Sequence, residues 1–152
     1  MSKTIIIADT SCLIVLKNVG KLDLLKDLYT SISITPEVER EFGEDLPSWI
    51  KVEGVKDNQK LSILRLELDE GEASAIVLAL EYENSLLIID EKKGRNTAKR
   101  LGLQIIGTLG IVLRAKEKGI IEVVKPLLEE LEEVGFRIGR DLKDKILKKV
   151  KE

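Results

Sequence analysis

Thr4-Ile5-Ile6-Ile7-Ala8-Asp9 is an apolar, β-branched run closed by a carboxylate, and Leu86-Leu87-Ile88-Ile89-Asp90 repeats the pattern far along the chain. Apolar runs of this length closed by a polar residue read as strands buried on both faces of a parallel sheet. In open α/β sheets the ligand crevice lies beyond the carboxyl ends of the strands, so Asp9 and Asp90 are expected to meet at that edge. Glu41 and Glu72 sit where strand ends or helix starts would carry them to the same place. Carboxylates converging in one cleft repel each other and call for a divalent cation.

Working outward from these runs, the apolar spacing predicts helices over 11–18 and 21–29 and a short alternating strand over 31–34. Thr35-Pro36 opens a helix through Phe42, with proline at a tolerated first-turn position, and 43–47 reads as a loop. An edge strand is expected around 50–55. Asp69-Glu70-Gly71-Glu72 begins a strongly apolar helix through Tyr82. After the strand ending at Ile89 come a helix over 95–101, a strand over 104–106 and a helix over 108–118. Two further amphipathic helices, 123–134 and 140–151, complete the chain. Strands alternating with helices imply right-handed βαβ units and an α/β fold. With no repeat, low-complexity tract or linker, the expectation is a single domain over 1–152 with a C-terminal helical extension from about 123 to 152.

Composition narrows the chemistry. The 152 residues are 43% apolar and 34% charged, which fits a globular chain and argues against disorder. A net charge of -2 predicts no general attraction to nucleic acid, so any such binding must use a local basic patch. No apolar stretch approaches the roughly 18 residues of a membrane span, and no basic-then-apolar signal opens the chain; an intracellular, cytoplasmic protein is expected. Cys12 is the only cysteine, excluding an internal disulfide and a thiolate zinc site, and it reads as a small buried residue of the first helix. The absence of histidine removes Ser-His-Asp and Cys-His triads and His-ligated zinc. Acid–base work falls to carboxylates, lysines, tyrosines or water on a metal. The bias toward Lys and Glu, with little Gln or Met, resembles thermophile surfaces.

Each acid also has a structural reading. Asp9 could cap the next helix, although Thr10 or Ser11 can do that instead and leave Asp9 free to face the crevice. Asp69-x-x-Glu72 matches a capping box, in which Glu72 would bond back to the cap's backbone N–H. Yet Gly71 costs roughly 1 kcal/mol against Ala inside a helix, and a glycine beside a carboxylate suits close approach of a ligand or another backbone. Asp90 could be a turn residue, and Glu41 one of several solvated glutamates beside Glu37 and Glu39. Lys92, Lys93, Arg95, Lys99 and Arg100 form either a solvated helix face or a patch that holds phosphate. The apolar rows Val123, Leu127, Leu128, Leu131, Val134 and Leu142, Ile146, Leu147, Val150 could pack on the sheet, form the seam of a homodimer or higher oligomer, or receive a partner helix.

Taken together, Ile7-Ala8-Asp9-Thr10-Ser11, Thr35-Pro36-Glu37-Val38-Glu39-Arg40-Glu41-Phe42, Gly71-Glu72-Ala73-Ser74-Ala75-Ile76, Leu87-Ile88-Ile89-Asp90-Glu91-Lys92-Lys93-Gly94-Arg95 and 101–111 resemble, in order and spacing, a PIN-domain protein related to VapC-type toxins. The resemblance spans about residues 4–145 and implies a three-layer α/β/α fold with a central, mostly parallel sheet. It implies an acidic quartet of Asp9, Glu41, Glu72 and Asp90 using Mg²⁺ or Mn²⁺ to hydrolyse single-stranded or structured RNA, leaving a 5′-phosphate and a 3′-hydroxyl. Asp9 and Asp90 would be direct ligands; Glu41 and Glu72 would be ligands or water-positioning bases. The third acid is Glu where many PIN domains have Asp, a longer arm that could act through water. Thr10 or Ser11 resembles the residue that orients the first aspartate, and Arg95, with Lys92, Lys93 and Lys99, fits the phosphate contact. A small antitoxin protein is the partner that the resemblance implies.

Three other classes are weighed against this one. A phosphoaspartyl phosphotransferase expects a second Asp two residues after the first, where this chain has Ser11. A receiver domain expects paired acids at the end of the first strand, where Ala8-Asp9 offers one. A catalytically weak PIN fold that only binds RNA or protein is disfavoured by the complete set of four acids, and an RNA-processing nuclease without an antitoxin stands as the alternative to the toxin.

Overall fold

In the computed structural model, which describes residues 3–152, both deciding runs are strands: β1 is Ile5–Ala8 and β4 is Ser85–Ile88. Ile5 pairs with Ser85 and Ala8 with Ile88, so the two strands end level. Between them lie α1 (Thr10–Asn18), α2 (Asp23–Tyr29), β2 (Ile32–Ile34), α3 (Pro36–Phe42), β3 (Ile50–Val52), α4 (Asn58–Leu64) and α5 (Glu70–Leu80). After β4 come α6 (Lys92–Arg100), β5 (Gln104–Ile106), α7 (Thr108–Glu117), α8 (Lys125–Glu133) and α9 (Arg140–Lys149). The first two positions of the expected domain lie outside the described residues.

The sheet order is β3-β2-β1-β4-β5, and every pairing is parallel. Successive side chains of a strand point to opposite faces, and the strands supply two cores accordingly. Ile6, Ala8, Leu86 and Ile88 pack with α1, α2, α3, α7 and α8, while Ile7, Leu87 and Ile89 pack with α4, α5 and α6. This is a three-layer α/β/α fold. Cys12 is buried, as expected. No helix among the described residues is long and apolar enough to cross a membrane.

Three elements differ from the sequence reading by more than two residues at an end. Residues 58–64 form α4, for which no element was expected: only Leu61 is buried there, so the apolar period is faint, and Asp57 starts the helix by accepting from the Lys60 N–H at 3.0 Å. The edge strand stops at Val52, beyond which the chain leaves β2. Helix α6 starts at Lys92 rather than Arg95, tolerating Gly94 in its first turn. The chain winds outward from β1 through β2 to β3, then returns to the other side of β1 as β4. The reversal leaves a crevice beyond the ends of β1 and β4.

Candidate metal centre

Asp9 is the first residue past β1, and its backbone N–H donates to the Ile88 carbonyl at 2.9 Å. It occupies the cap position of α1, yet its side chain makes no capping hydrogen bond. Neither does Thr10 take that role: its hydroxyl donates across to Glu41 Oε1 on α3. Ser11 is exposed. The Asp9 side chain is therefore aimed into the crevice, only 3% of the residue is exposed, and Oδ1 is buried without a hydrogen-bond partner. Burial pushes its carboxyl up to about 7; the Thr10 N–H opposes this, and the charges of Asp69, Glu41 and Asp90 add to it.

Glu72 arrives on the first turn of α5. The Asp69 side chain accepts from the Glu72 N–H at 2.8 Å, which is one half of the expected capping box. Glu72 does not complete the other half: it is 3% exposed, and its Oε2 is buried with no partner. Burial raises its carboxyl well above the usual carboxylate range, and so do the hydrogen bond it shares with Asp69 and the charges of Asp69, Asp9 and Glu91. The start of α5 is fixed from behind by a buried hydrogen bond between Thr35 Oγ1 and Ser74 Oγ at 2.7 Å, the latter also donating to the Gly71 carbonyl at 3.0 Å. Oxygen atoms of Asp69, Glu72 and Glu91 lie within 4.8 Å of one another.

Asp90 is held by the next helix. Thr108, the first residue of α7, donates its N–H to Asp90 Oδ1 at 2.7 Å and its hydroxyl to Oδ2 at 2.6 Å. The positive end of α7 thereby faces the carboxylate. Half-buried Arg95 donates from Nη1 to the Ile89 carbonyl at 2.8 Å, which ties the start of α6 to the end of β4. Lys92, Lys93 and Lys99 are exposed on α6.

Three glycines make room for the acids. A β-carbon on Gly71 would lie 2.8 Å from Glu41 Cδ, one on Gly94 would lie 2.7 Å from Glu72 Oε2, and one on Gly107 would lie 2.8 Å from Asp90 Oδ1. Contacts under about 3 Å are steric overlaps, so each acid occupies space that only the absence of a side chain provides.

The structure thus gathers Asp9, Glu41, Glu72 and Asp90 around one crevice and adds Asp69, which reads in sequence as a helix cap, and Glu91. The available signal was the doubling of acids in Asp69-Glu70-Gly71-Glu72 and Asp90-Glu91. Thr108 was also missed, though Gly107-Thr108 follows β5 as Asp9 follows β1. A buried carboxylate oxygen without a donor is costly unless a proton or a cation satisfies it. The donor set is all oxygen, with no histidine or thiolate, and suits a hard divalent cation.

A family model described as DUF3368, a PIN domain, matches residues 5–152. A comparison with curated proteins finds no match. The chain belongs to the PIN-domain family, whose members are metal-dependent nucleases in general.

Proposed function

We propose that this PIN domain is a Mg²⁺- or Mn²⁺-dependent endoribonuclease of the toxin type. The observation that carries the reading is the pair of buried, unpartnered carboxylate oxygens, Asp9 Oδ1 and Glu72 Oε2, in a crevice lined by further acids. Asp9 and Glu72, with Asp69 and Glu91 beside them, would hold the ion, and Glu41 and Asp90 add their negative charge to the same crevice. When bound, a divalent cation supplies the positive charge that acidifies water and neutralises phosphoryl oxygens. The rest falls to the chain. Thr10 orients Glu41, Thr108 orients Asp90, and Arg95 braces the strand end on which Asp90 sits. Lys92, Lys93 and Lys99 stand free on α6 to track a phosphate backbone, which offsets the repulsion expected of a chain with net charge -2. The partner in this reading is a small antitoxin protein, supported by the apolar side chains of Val123, Val134 and Leu142 left exposed around α8 and α9.

The test is cleavage of a single-stranded RNA by the purified protein. Cleavage should require Mg²⁺ or Mn²⁺, stop on chelation with EDTA, and stop in Asp90→Asn with the fold retained. Cleavage that survives EDTA or Asp90→Asn overturns the mechanism. A protein without any RNA cleavage, whose overproduction leaves growth unchanged and which co-purifies alone from its native cell, overturns the toxin reading.

A further inference from the structure

A cleft of about 510 Å³ opens directly beside Asp90 and runs away from the acids between β5, α7 and the C-terminal helix α9. Its size falls in the range of about 300–1,000 Å³ typical of small-molecule sites. One end carries Asp90 and Arg95; the body is walled by Leu113 of α7, Phe136 of the α8–α9 loop, and Leu142 and Ile146 of α9. Apart from Asp90 and Arg95, no lining residue carries a side-chain hydrogen-bonding group. Gly110 lets α7 lie close to β5, since a β-carbon there would meet Ile106 Cγ1 at 2.5 Å.

We propose that this cleft is a nucleobase subsite, which takes the base flanking the scissile phosphate against the Phe136 ring. The inference rests on the ribonuclease reading above and deepens it. The body of the cleft suits a flat, apolar occupant, and its polar end offers one carboxylate, Asp90, whose two oxygens are already engaged by Thr108, and one guanidinium, Arg95. Arg95 spends one of its five N–H groups on the Ile89 carbonyl, and the others make no hydrogen bond among the described residues, so a cation faces the polar end. Aromatic rings recognise unpaired bases by stacking, which any base satisfies in proportion to its surface. With no side-chain donor or acceptor along the body, the subsite reads stacking area rather than a hydrogen-bonding edge. It therefore favours purines over pyrimidines and does not separate adenine from guanine strongly. The C-terminal helical pair then has a role in substrate choice, because Phe136, Leu142 and Ile146 form its side of the wall.

The experiment uses five RNA oligonucleotides identical except at the nucleotide next to the cleaved bond, which is A, G, C, U or abasic. Wild type should cleave the two purine oligonucleotides about tenfold faster than the abasic one, and in Phe136→Ala the ratio of purine to abasic rates should fall to about one. Equal cleavage of all five by wild type, or an equal loss on all five in Phe136→Ala, overturns the proposal. A second arm is independent of cleavage. Phe136→Trp places a fluorophore in the cleft, read against the native Trp49 background of the wild type, and is titrated with adenosine 5′-monophosphate and with ribose 5-phosphate. A saturable emission change with the nucleotide and none with the sugar phosphate supports the subsite even if no RNA is cut. No difference between the two overturns the subsite even if the nuclease reading stands.

Discussion

Replacing Asp9 by Asn should stabilise the protein when metal is absent and destabilise it, relative to wild type, when metal is present. In the folded chain the Asp9 carboxyl titrates at about 7 against an ordinary value of 3.8, because burial disfavours its charge. The sign follows. Below pH ~4 the carboxyl is protonated in both the folded and unfolded chain, so Asp9 carries no penalty. As pH rises from ~4 to ~7 the unfolded chain releases the proton while the folded chain keeps it, and stability falls. Above pH ~7 the loss is complete and flat. At roughly 1.4 kcal/mol per pH unit the full penalty is on the order of 4 kcal/mol, and part of it will be relieved as Glu72 takes up a proton. The amide of Asn carries no charge to bury and finds carboxylate acceptors around it. For a chain of this size each kcal/mol moves Tm by about 2–4 °C, so in EDTA at pH 8 the variant should melt several degrees above wild type, with the gap closing toward pH 4. Saturating Mn²⁺ should reverse the order, since ligation of the native state raises stability by mass action and the variant has lost a ligand. A variant that melts below wild type in EDTA at pH 8, or a gap that does not change with pH, would refute the burial argument.

Gly71→Ala should raise or preserve stability, by up to about 1 kcal/mol from helix propensity, while its methyl drives the exposed Glu41 carboxylate from its place; thermal melts beside RNA cleavage assays should show a stable, inactive protein. Thr108→Val keeps the backbone bond to Asp90 but removes the hydroxyl donor to Oδ2, which should cost about 1–3 kcal/mol in denaturant titration and lower cleavage, with Thr108→Ser restoring both. Lys92→Ala combined with Lys93→Ala should weaken RNA binding equally across sequences and reduce the slope of log K against log salt by about 1.4, roughly 0.7 for each lost phosphate contact on a single strand. Arg95→Ala should destabilise the fold by about 1–2 kcal/mol in addition to any effect on RNA, because its Nη1 satisfies the Ile89 carbonyl; retention of full stability would show that bond to be dispensable.

The strands that build the crevice were legible because a strand buried on both faces must be apolar throughout, and only β1 and β4 show unbroken runs ending in aspartate. Gly71 stands out in sequence as a poor choice for a helix, and its place in the structure is to leave room for the Glu41 side chain. What the sequence could not show was adjacency between elements. Asp69 looks like a helix cap and is one; that it also faces Glu72 and Glu91 depends on how the starts of α5 and α6 are brought together over the sheet. Arg95 follows the last acid at a spacing that suits phosphate, yet its side chain folds back on the strand end, a choice decided by the unpaired Ile89 carbonyl rather than by any neighbour in sequence. Helix α4 escaped notice because a short surface helix with one buried leucine leaves almost no periodic trace.

The pairing of β1 with β4 also sets when the molecule becomes competent during its own synthesis. Asp9 is made well before Ile88, and its backbone N–H has no partner until Ile88 is in place; Asp90 is not clamped until Thr108 has followed. A growing chain carrying only β1 to β3 holds two of the four acids on a half-sheet whose inner edge is open, so the proposed metal centre cannot assemble. Contacts between residues so far apart in sequence are also among the slower ones to form. If the proposed ribonuclease reading holds, the crevice cannot close until β4 has joined β1, and that delay is written into the strand order itself.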